Sequence, residues 1–325
     1  MSATKIEWTD VTWNPTRGCS RVSEGCRNCY AERIAARFSG PREAYEGFAA
    51  VREGGRHGQS GRTRTGIRGH WTGKVALIPE KLEEPLHWRK PRRVFVNSMS
   101  DLFHEGLPDV AVVKIFTVME ACPQHTFQIL TKRPERMQRL LSHPHFQAYM
   151  RKLGYDWLGP KSYQERGPHW RSNVWLGVSV ENQATADERI PLLLQTPAAV
   201  RFVSYEPALG PVDFTKIGKW RREDLSALQE QVGYVERPRL DWIIVGGESG
   251  PGARRFDVDW ARSIIRQCRD AGVACFVKQL GSNPTTNHRT RPAAEPAYWT
   301  SILHNSKGGD PAEWPEDLRV REFPA

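Results

Sequence analysis

The chain has 325 residues, 39% hydrophobic and 26% charged, proportions that fit a folded globular protein and exclude an intrinsically disordered one. Lysine and arginine outnumber aspartate and glutamate by 47 to 37, and the net charge of +10 favours a polyanionic partner such as nucleic acid or a nucleotide. No apolar run approaches the roughly eighteen residues of a membrane helix. The opening Met1-Ser2-Ala3-Thr4-Lys5 lacks the apolar core of a secretory signal, so the expected location is the cytoplasm, with no membrane partner.

Taken in chain order, residues 8–14 are a first expected strand. A cysteine-rich loop follows, and then an expected helix over 30–38. Residues 40–72 form a basic insertion, with Arg52, Arg56, Arg62, Arg64 and Arg68 set among glycines. This composition predicts a flexible cationic loop suited to phosphate contacts, or a solvated loop without that role. From residue 74 onward, short β-branched or aromatic runs alternate with helix-like stretches. The runs cover 74–78, 94–97, 127–130, 174–178, 200–203, 242–245 and 274–277. The expected helices cover 80–88, 109–121, 134–141, 184–195 and 258–271. Such alternation predicts parallel strands with helical crossovers, in an α/β fold. Each run is nearly continuous in apolar residues, as strands covered on both faces are.

The reading is a parallel (β/α) barrel of six to eight strands over residues 1–280, interrupted by insertions at 40–72 and 151–172. The second insertion carries Tyr155, Trp157, Tyr163 and Trp170 and is expected to cap the site. The polar, proline-rich extension 281–325 is expected to pack on the barrel through Trp299, Trp314 and Phe323. An open doubly wound sheet is the alternative.

The strand exits are polar throughout: Asn97-Ser98-Met99-Ser100-Asp101, Thr131-Lys132-Arg133, Ser179-Val180-Glu181-Asn182, Ser204-Tyr205-Glu206-Pro207, Gly246-Gly247-Glu248-Ser249 and Lys278-Gln279. In a β/α barrel these ends share the face that holds the active site. Polar residues also mark where strands simply stop, and both readings apply to any single exit.

The segment that carries chemistry is Gly18-Cys19-Ser20-Arg21-Val22-Ser23-Glu24-Gly25-Cys26-Arg27-Asn28-Cys29-Tyr30. Three thiolates within eleven residues can converge on one metal centre. The helix that starts after Cys29 offers its N-terminal dipole and free N–H groups to thiolate charge. A closed zinc site needs a fourth ligand, for which His57 or His70 is available without ligand-like spacing. A four-iron four-sulfur (4Fe-4S) cluster on Cys19, Cys26 and Cys29 keeps one iron open for an exogenous ligand. Cys122, Cys268 and Cys275 sit in apolar or helical surroundings and read as buried thiols.

This cysteine loop after a first strand resembles the radical S-adenosylmethionine (SAM) enzymes, which bind such a cluster in a β/α barrel. The chain as a whole resembles a phage-associated family of uncharacterised proteins with a three-cysteine motif, on Trp13-Asn14-Pro15, Cys29-Tyr30-Ala31-Glu32, Ser98-Met99-Ser100-Asp101-Leu102-Phe103, Leu130-Thr131-Lys132-Arg133-Pro134 and Gly246-Gly247-Glu248-Ser249-Gly250. A more distant similarity is to the family of spore photoproduct lyase and its relatives, on Ser98 with Asp101 and on Thr131-Lys132. It differs from the radical-SAM pattern in the longer gap of six residues between Cys19 and Cys26, and in Gly246-Gly247-Glu248, which follow a late strand.

The resemblance implies a SAM cofactor contacted by Ser98, Asp101, Thr131 and Lys132. Lys132 or Arg133 is expected to pair with its carboxylate, and Ser179, Glu181 and Ser204 join as cofactor-side polar groups. Structural pairing of Lys132 and Arg133 with Glu181 or Glu206 is the alternative. Glu206 and Glu248 are candidate proton-transfer or substrate groups, or mutual salt-bridge partners. Tyr205 is a candidate hydrogen-atom donor or base contact, or a packed tyrosine. Lys278 and Gln279 are a further, weaker candidate pair. The implied function is a radical SAM enzyme on DNA, RNA or a nucleotide, served by a reductant such as flavodoxin or ferredoxin. The competing functions are a nucleic-acid-binding protein with a structural zinc or iron–sulfur site, and a radical SAM enzyme on a peptide or metabolite.

Overall fold

A computed structural model describes residues 4–52, 68–158, 170–220, 223–224, 226–228, 231–232, 235–236, 239–286, 299 and 303–324. Among them seven strands form one parallel sheet: β1 (Val11–Trp13), β2 (Arg93–Val96), β3 (Thr126–Thr131), β4 (Val174–Ser179), β5 (Val200–Tyr205), β6 (Trp242–Gly246) and β7 (Ala274–Gln279). Their order in the sheet is their order in the chain. A doubly wound sheet reverses its order at a switch point; this one never does, which removes that alternative. β1 and β7 stand at the two ends of the order. The outer edge of β7 is taken by the C-terminal segment, where Val277 N–H donates to Val320 O at 2.8 Å and Glu322 N–H to Cys275 O at 2.8 Å. Such a cover satisfies an edge that would otherwise be open to association.

The strands form because their apolar runs are buried: every residue of β6 is, and all but one residue in each of β4 and β5. The helices follow from capping and period. α1 (Tyr30–Arg37) buries Ala31, Glu32, Ala35 and Ala36 on one face. α2 (Asp109–Ala121) is apolar nearly all round, and the buried Asn173 amide donates to its end at Met119 O and Cys122 O. α3 (Pro134–Leu141) starts on a proline, whose missing N–H costs nothing there. α4 (Phe146–Leu158) and α5 (Gln183–Leu194) come next, the latter opened by a capping box between Asn182 and Thr185. α6 (Val258–Ala271) is capped by Asp257 and ended by left-handed Gly272, and it buries Val258, Ala261, Ile264, Ile265 and Cys268. Each fully buried aliphatic side chain of that stripe contributes about 1.5–3 kcal/mol.

The chain divides into two compact units, residues 1–129 with 143–173, and residues 130–142 with 174–325. In the first, α2 packs on α4, with Phe116 and Phe146 rings 5.4 Å apart. In the second, α3 packs on α5, and α6 on β6 and β7. No helix among the described residues is long and apolar enough to cross a membrane.

Several expectations change. Residues 74–78 do not join the sheet; only Ala76–Leu77 is extended, pairing antiparallel with Thr16–Arg17, because Pro79 opens a helical turn directly after. The expected helix 80–88 breaks into Pro79–Leu82 and a 3-10 turn at Glu84–His87, with Pro85 at the junction. The insertion 40–72 is not loop throughout. Ala49–Arg52 and Arg68–Trp71 pair as an antiparallel ribbon packed on α1, and Gly69 is required there because a Cβ would lie 2.2 Å from the Ala36 Cβ. Arg56, Arg62 and Arg64 lie outside the described residues. In the insertion 151–172 the chain continues α4, and Trp157 donates to Glu83 at 3.2 Å. Tyr163 and the side chains of Tyr155 and Trp170 lie outside the described residues. In the tail, Trp299 and Trp314 are buried, and the Trp242 indole, 5.2 Å from the Phe323 ring, donates to Glu322 O.

Candidate functional site

The cysteine loop leaves β1 through Asn14 and Pro15 and is pinned at Gly18. This glycine has φ +93°, and a Cβ on it would stand 2.0 Å from Lys74 O, so neither the backbone nor the space admits a side chain. Successive tight turns follow: Cys26 N–H donates to Ser23 O, Arg27 to Glu24 O and Cys29 to Cys26 O, at 2.9, 3.1 and 3.3 Å. They place Cys26 and Cys29 one turn apart, with Cys29 as the N-cap of α1. None of the three thiols is in a disulfide, and each is half-buried.

Burial pushes the Cys29 thiol above its ordinary pKa. The N–H groups of Glu32 and Ala31 oppose this, and the neighbouring Cys26 and Glu32 charges add to it. Arg21 stands within electrostatic reach of Cys26 and Cys29. It pairs with the buried Glu32 at 2.6 Å, and Glu32 also accepts the Trp71 N–H at 2.9 Å. One carboxylate thereby ties the cysteine loop, α1 and the ribbon together.

The exit of β2 is laced onto this loop. Gly18 bridges Ser100, and the Thr16 and Ser100 hydroxyls lie 2.8 Å apart. Ser98 donates to the Asn14 amide at 3.2 Å, and the Tyr30 hydroxyl donates to Ser98 O at 2.6 Å. Asp101 is buried and accepts from Phe103 N–H at 3.0 Å, which makes it a turn-former. His104 accepts the Gly106 N–H on Nδ1 at 3.0 Å, so neutral His104 carries its proton on Nε2, facing the Ser20 hydroxyl at 2.8 Å. Asn97 ends β2 at φ +61°, and its amide nitrogen and oxygen are buried with no partner among the described residues. A buried amide left unpaired costs about 1–3 kcal/mol, and a polar ligand or ordered water would relieve it.

The second unit holds the other polar strand ends. Lys132 pairs with Glu181 at 2.5 Å, and Arg189 meets the same carboxylate at 3.2 Å while donating to Ser179 O at 2.7 Å. Thr131 accepts the Arg133 N–H at 2.9 Å and starts the turn into α3, and Arg133 is buried. Ser179 and Ser204 are register partners on β4 and β5. Ser204 donates to Glu206 at 3.2 Å, and Lys278 pairs with Glu206 at 3.0 Å. A Cβ on Gly246 would stand 2.8 Å from the Glu206 carboxylate, so glycine makes room for it. Glu248 is gripped by Arg254, at 2.7 and 3.1 Å from the guanidinium and 2.9 Å from the backbone. It braces its own loop. Tyr205 is fully buried, its hydroxyl donating to Gly210 O and its ring on Phe214. Burial, with Asp257 adding, raises its pKa, so it stays protonated. This is the packed tyrosine of the two readings.

The structure therefore groups Ser98 and Asp101 with the cysteine loop, Lys132 with Glu181, and Ser179 with Ser204 and Glu206. Glu248 is held by Arg254, and Tyr205 by Gly210 and Phe214. Sequence reasoning missed Arg189, His104 and the Arg21–Glu32 pair, and named Asn97 only as part of a polar strand exit. Arg189 had a signal, since it interrupts the apolar stripe of Ala186, Ile190 and Leu193. Arg21–Glu32 had none, because the contact depends on how the loop folds back.

A family model described as "Protein of unknown function (DUF5131)" matches residues 3–306. The chain belongs to this family. The match takes in both the cysteine loop and every strand of the sheet. No curated protein and no solved structure matches the chain.

As to fit for a metal cluster, the donor chemistry of this DUF5131 loop agrees: three thiols outside any disulfide, a helix N-terminus behind Cys29, and Arg21 to offset negative charge. Among the described residues, no three His, Cys, Asp or Glu side chains are drawn together as a metal-holding group.

Proposed function

We propose that this protein is a radical SAM enzyme acting on a nucleic acid or nucleotide. The observation that carries the reading is the presentation of Cys19, Cys26 and Cys29 on one loop between the first parallel strand and the N-terminus of α1. The chain-order sheet supports it, being the strand order of the β/α barrel that radical SAM enzymes resemble. Cys19, Cys26 and Cys29 would hold a four-iron four-sulfur cluster, which, reduced by a donor such as flavodoxin or ferredoxin, would supply the electron for reductive cleavage of SAM.

The protein's own groups do the remaining work. Arg21 offsets thiolate charge. The Asn97 amide, which has no partner among the described residues, is a donor and acceptor for a small polar ligand beside Ser98. In the second unit Lys132, Glu206 and Lys278 keep part of their surface open, at 18%, 13% and 26% side-chain exposure, and can meet ribose hydroxyls or phosphate. Glu206 accepts from Ser204 and pairs with Lys278, which orients its carboxylate as a candidate proton acceptor. The net charge of +10 supports an anionic substrate.

The test is anaerobic reconstitution with iron and sulfide, then dithionite and SAM. The expected results are about four irons per chain, an EPR signal that changes on adding SAM, and 5′-deoxyadenosine as product. A fully loaded cluster whose EPR signal ignores SAM, with no 5′-deoxyadenosine, overturns the reading in favour of a structural metal site.

A further inference from the structure

We propose that the outward face of α1, together with the cysteine loop in front of it, docks single-stranded nucleic acid. The inference rests on the nucleic-acid half of the functional reading and not on the cluster.

Eight large hydrophobic residues are exposed among the described residues, and five of them, Val22, Tyr30, Ile34, Phe38 and Val51, belong to the cysteine loop, α1, its C-cap or the ribbon packed on α1. Tyr30, Ile34 and Phe38 recur every fourth residue, at 47%, 37% and 50% exposure. At about 100° per residue, Arg33 and Arg37 fall in the same arc. The opposite face, Ala31, Glu32, Ala35 and Ala36, is buried. Glu32 is the one carboxylate of α1, and it points inward onto Arg21 and the Trp71 N–H. The outward face thus carries two guanidiniums, two aromatic rings and an isoleucine, and no acid.

That composition is unfavourable for the free protein. Arginines at i and i+4 repel each other, and clustered apolar surface in water marks an interaction site. One partner relieves both costs: unpaired bases stack on Tyr30 and Phe38 while phosphates meet Arg33 and Arg37. A duplex hides its base faces and satisfies only the arginines. In front of the helix, an open depression of about 370 Å³ is lined by Arg21, Val22, Ser23, Glu24 and Arg27, and Arg27 brings a further guanidinium beside the cysteines.

The test is fluorescence anisotropy of the full-length protein with a labelled mixed-sequence single-stranded oligonucleotide, as DNA and as RNA, over a salt series. Phe38→Ala and Tyr30→Ala should each weaken binding by roughly fivefold or more, the loss of one stacking platform. Arg33→Ala and Arg37→Ala should each make the salt dependence shallower by about 0.7 in log–log slope. Tyr149→Ala removes another exposed ring and should change nothing. A matched duplex should compete poorly. Absence of binding at low salt overturns the proposal. So does binding that Phe38→Ala and Arg37→Ala leave untouched, or a surface that captures a protein while ignoring the oligonucleotide. Oligonucleotide binding through α1 without 5′-deoxyadenosine formation would sink the radical chemistry alone.

Discussion

The Arg21 guanidinium and the buried Glu32 carboxylate meet at 2.6 Å, and this contact joins the middle of the cysteine loop to the helix that its last cysteine caps. Glu32 is 3% exposed and also holds the Trp71 backbone, so one inward-facing acid joins the Gly18 and β2-exit contacts in fixing the loop's shape. Glu32→Ala should cost about 1–3 kcal/mol by leaving a buried N–H unpaired. It should also lower iron uptake per chain, since the loop loses one of its anchors. Chemical denaturation and iron analysis of the reconstituted variant check both, and wild-type iron content would sink the anchoring role.

Thiol reactivity should separate the two cysteine sets. Burial pushes the Cys122 thiol up to about 12, so at pH 8 roughly one molecule in ten thousand carries the thiolate there. A hydrogen bond with Cys268, then burial, raises Cys275 well above the usual range. Brief iodoacetamide treatment of the cluster-free protein at pH 8 should label Cys19 and Cys26 first, Cys29 more slowly, and the other three only after unfolding. Peptide mass spectrometry reads the pattern.

Glu181 holds Lys132 and Arg189 together almost out of water, at 2% side-chain exposure. Glu181→Ala leaves Arg189 as a buried uncompensated cation and should destabilise the protein by about 3–5 kcal/mol. Glu206→Ala, whose partner Lys278 is 26% exposed, should cost far less. Urea unfolding of the two variants compares them directly, and equal midpoints would contradict the burial argument.

His125 gives a pH signature. Burial, with Arg92 adding, holds its imidazole below the ordinary range, against the opposing pull of the Pro85 and Trp88 carbonyls. The unfolded chain therefore binds the proton more readily, at about pH 6.5. The contribution to stability is present above that pH and is lost as pH falls through the lower folded value. The melting temperature should drop on going from pH 7 to pH 5, and His125→Gln should flatten that drop.

Much of the fold is legible in the chain because period and burial agree locally. The apolar runs that became β2 to β7 and the stripe of α6 need no distant partner to be recognised. The miss at residues 74–78 has a physical cause: a short apolar run looks the same whether it joins the sheet or pairs with Thr16–Arg17, and only Pro79 and the return of the chain to Pro15 decide it. The strand-end carboxylates were legible as polar positions but not as partners. Whether Glu181 faces a ligand or Arg189 depends on a helix packing against the strand that precedes it.

The amino-acid order alone fixed an alternating α/β chain, a three-thiol loop and a surplus of positive charge, since each follows from neighbours a few residues apart. Tertiary structure alone decided that Glu32 turns inward, that Tyr205 is locked on Gly210 and Phe214, that the Asn97 amide is buried with no partner among the described residues, and that α1 shows an acid-free face of rings and arginines. Those outcomes depend on which surfaces are removed from water, and desolvation is set by segments far away in sequence.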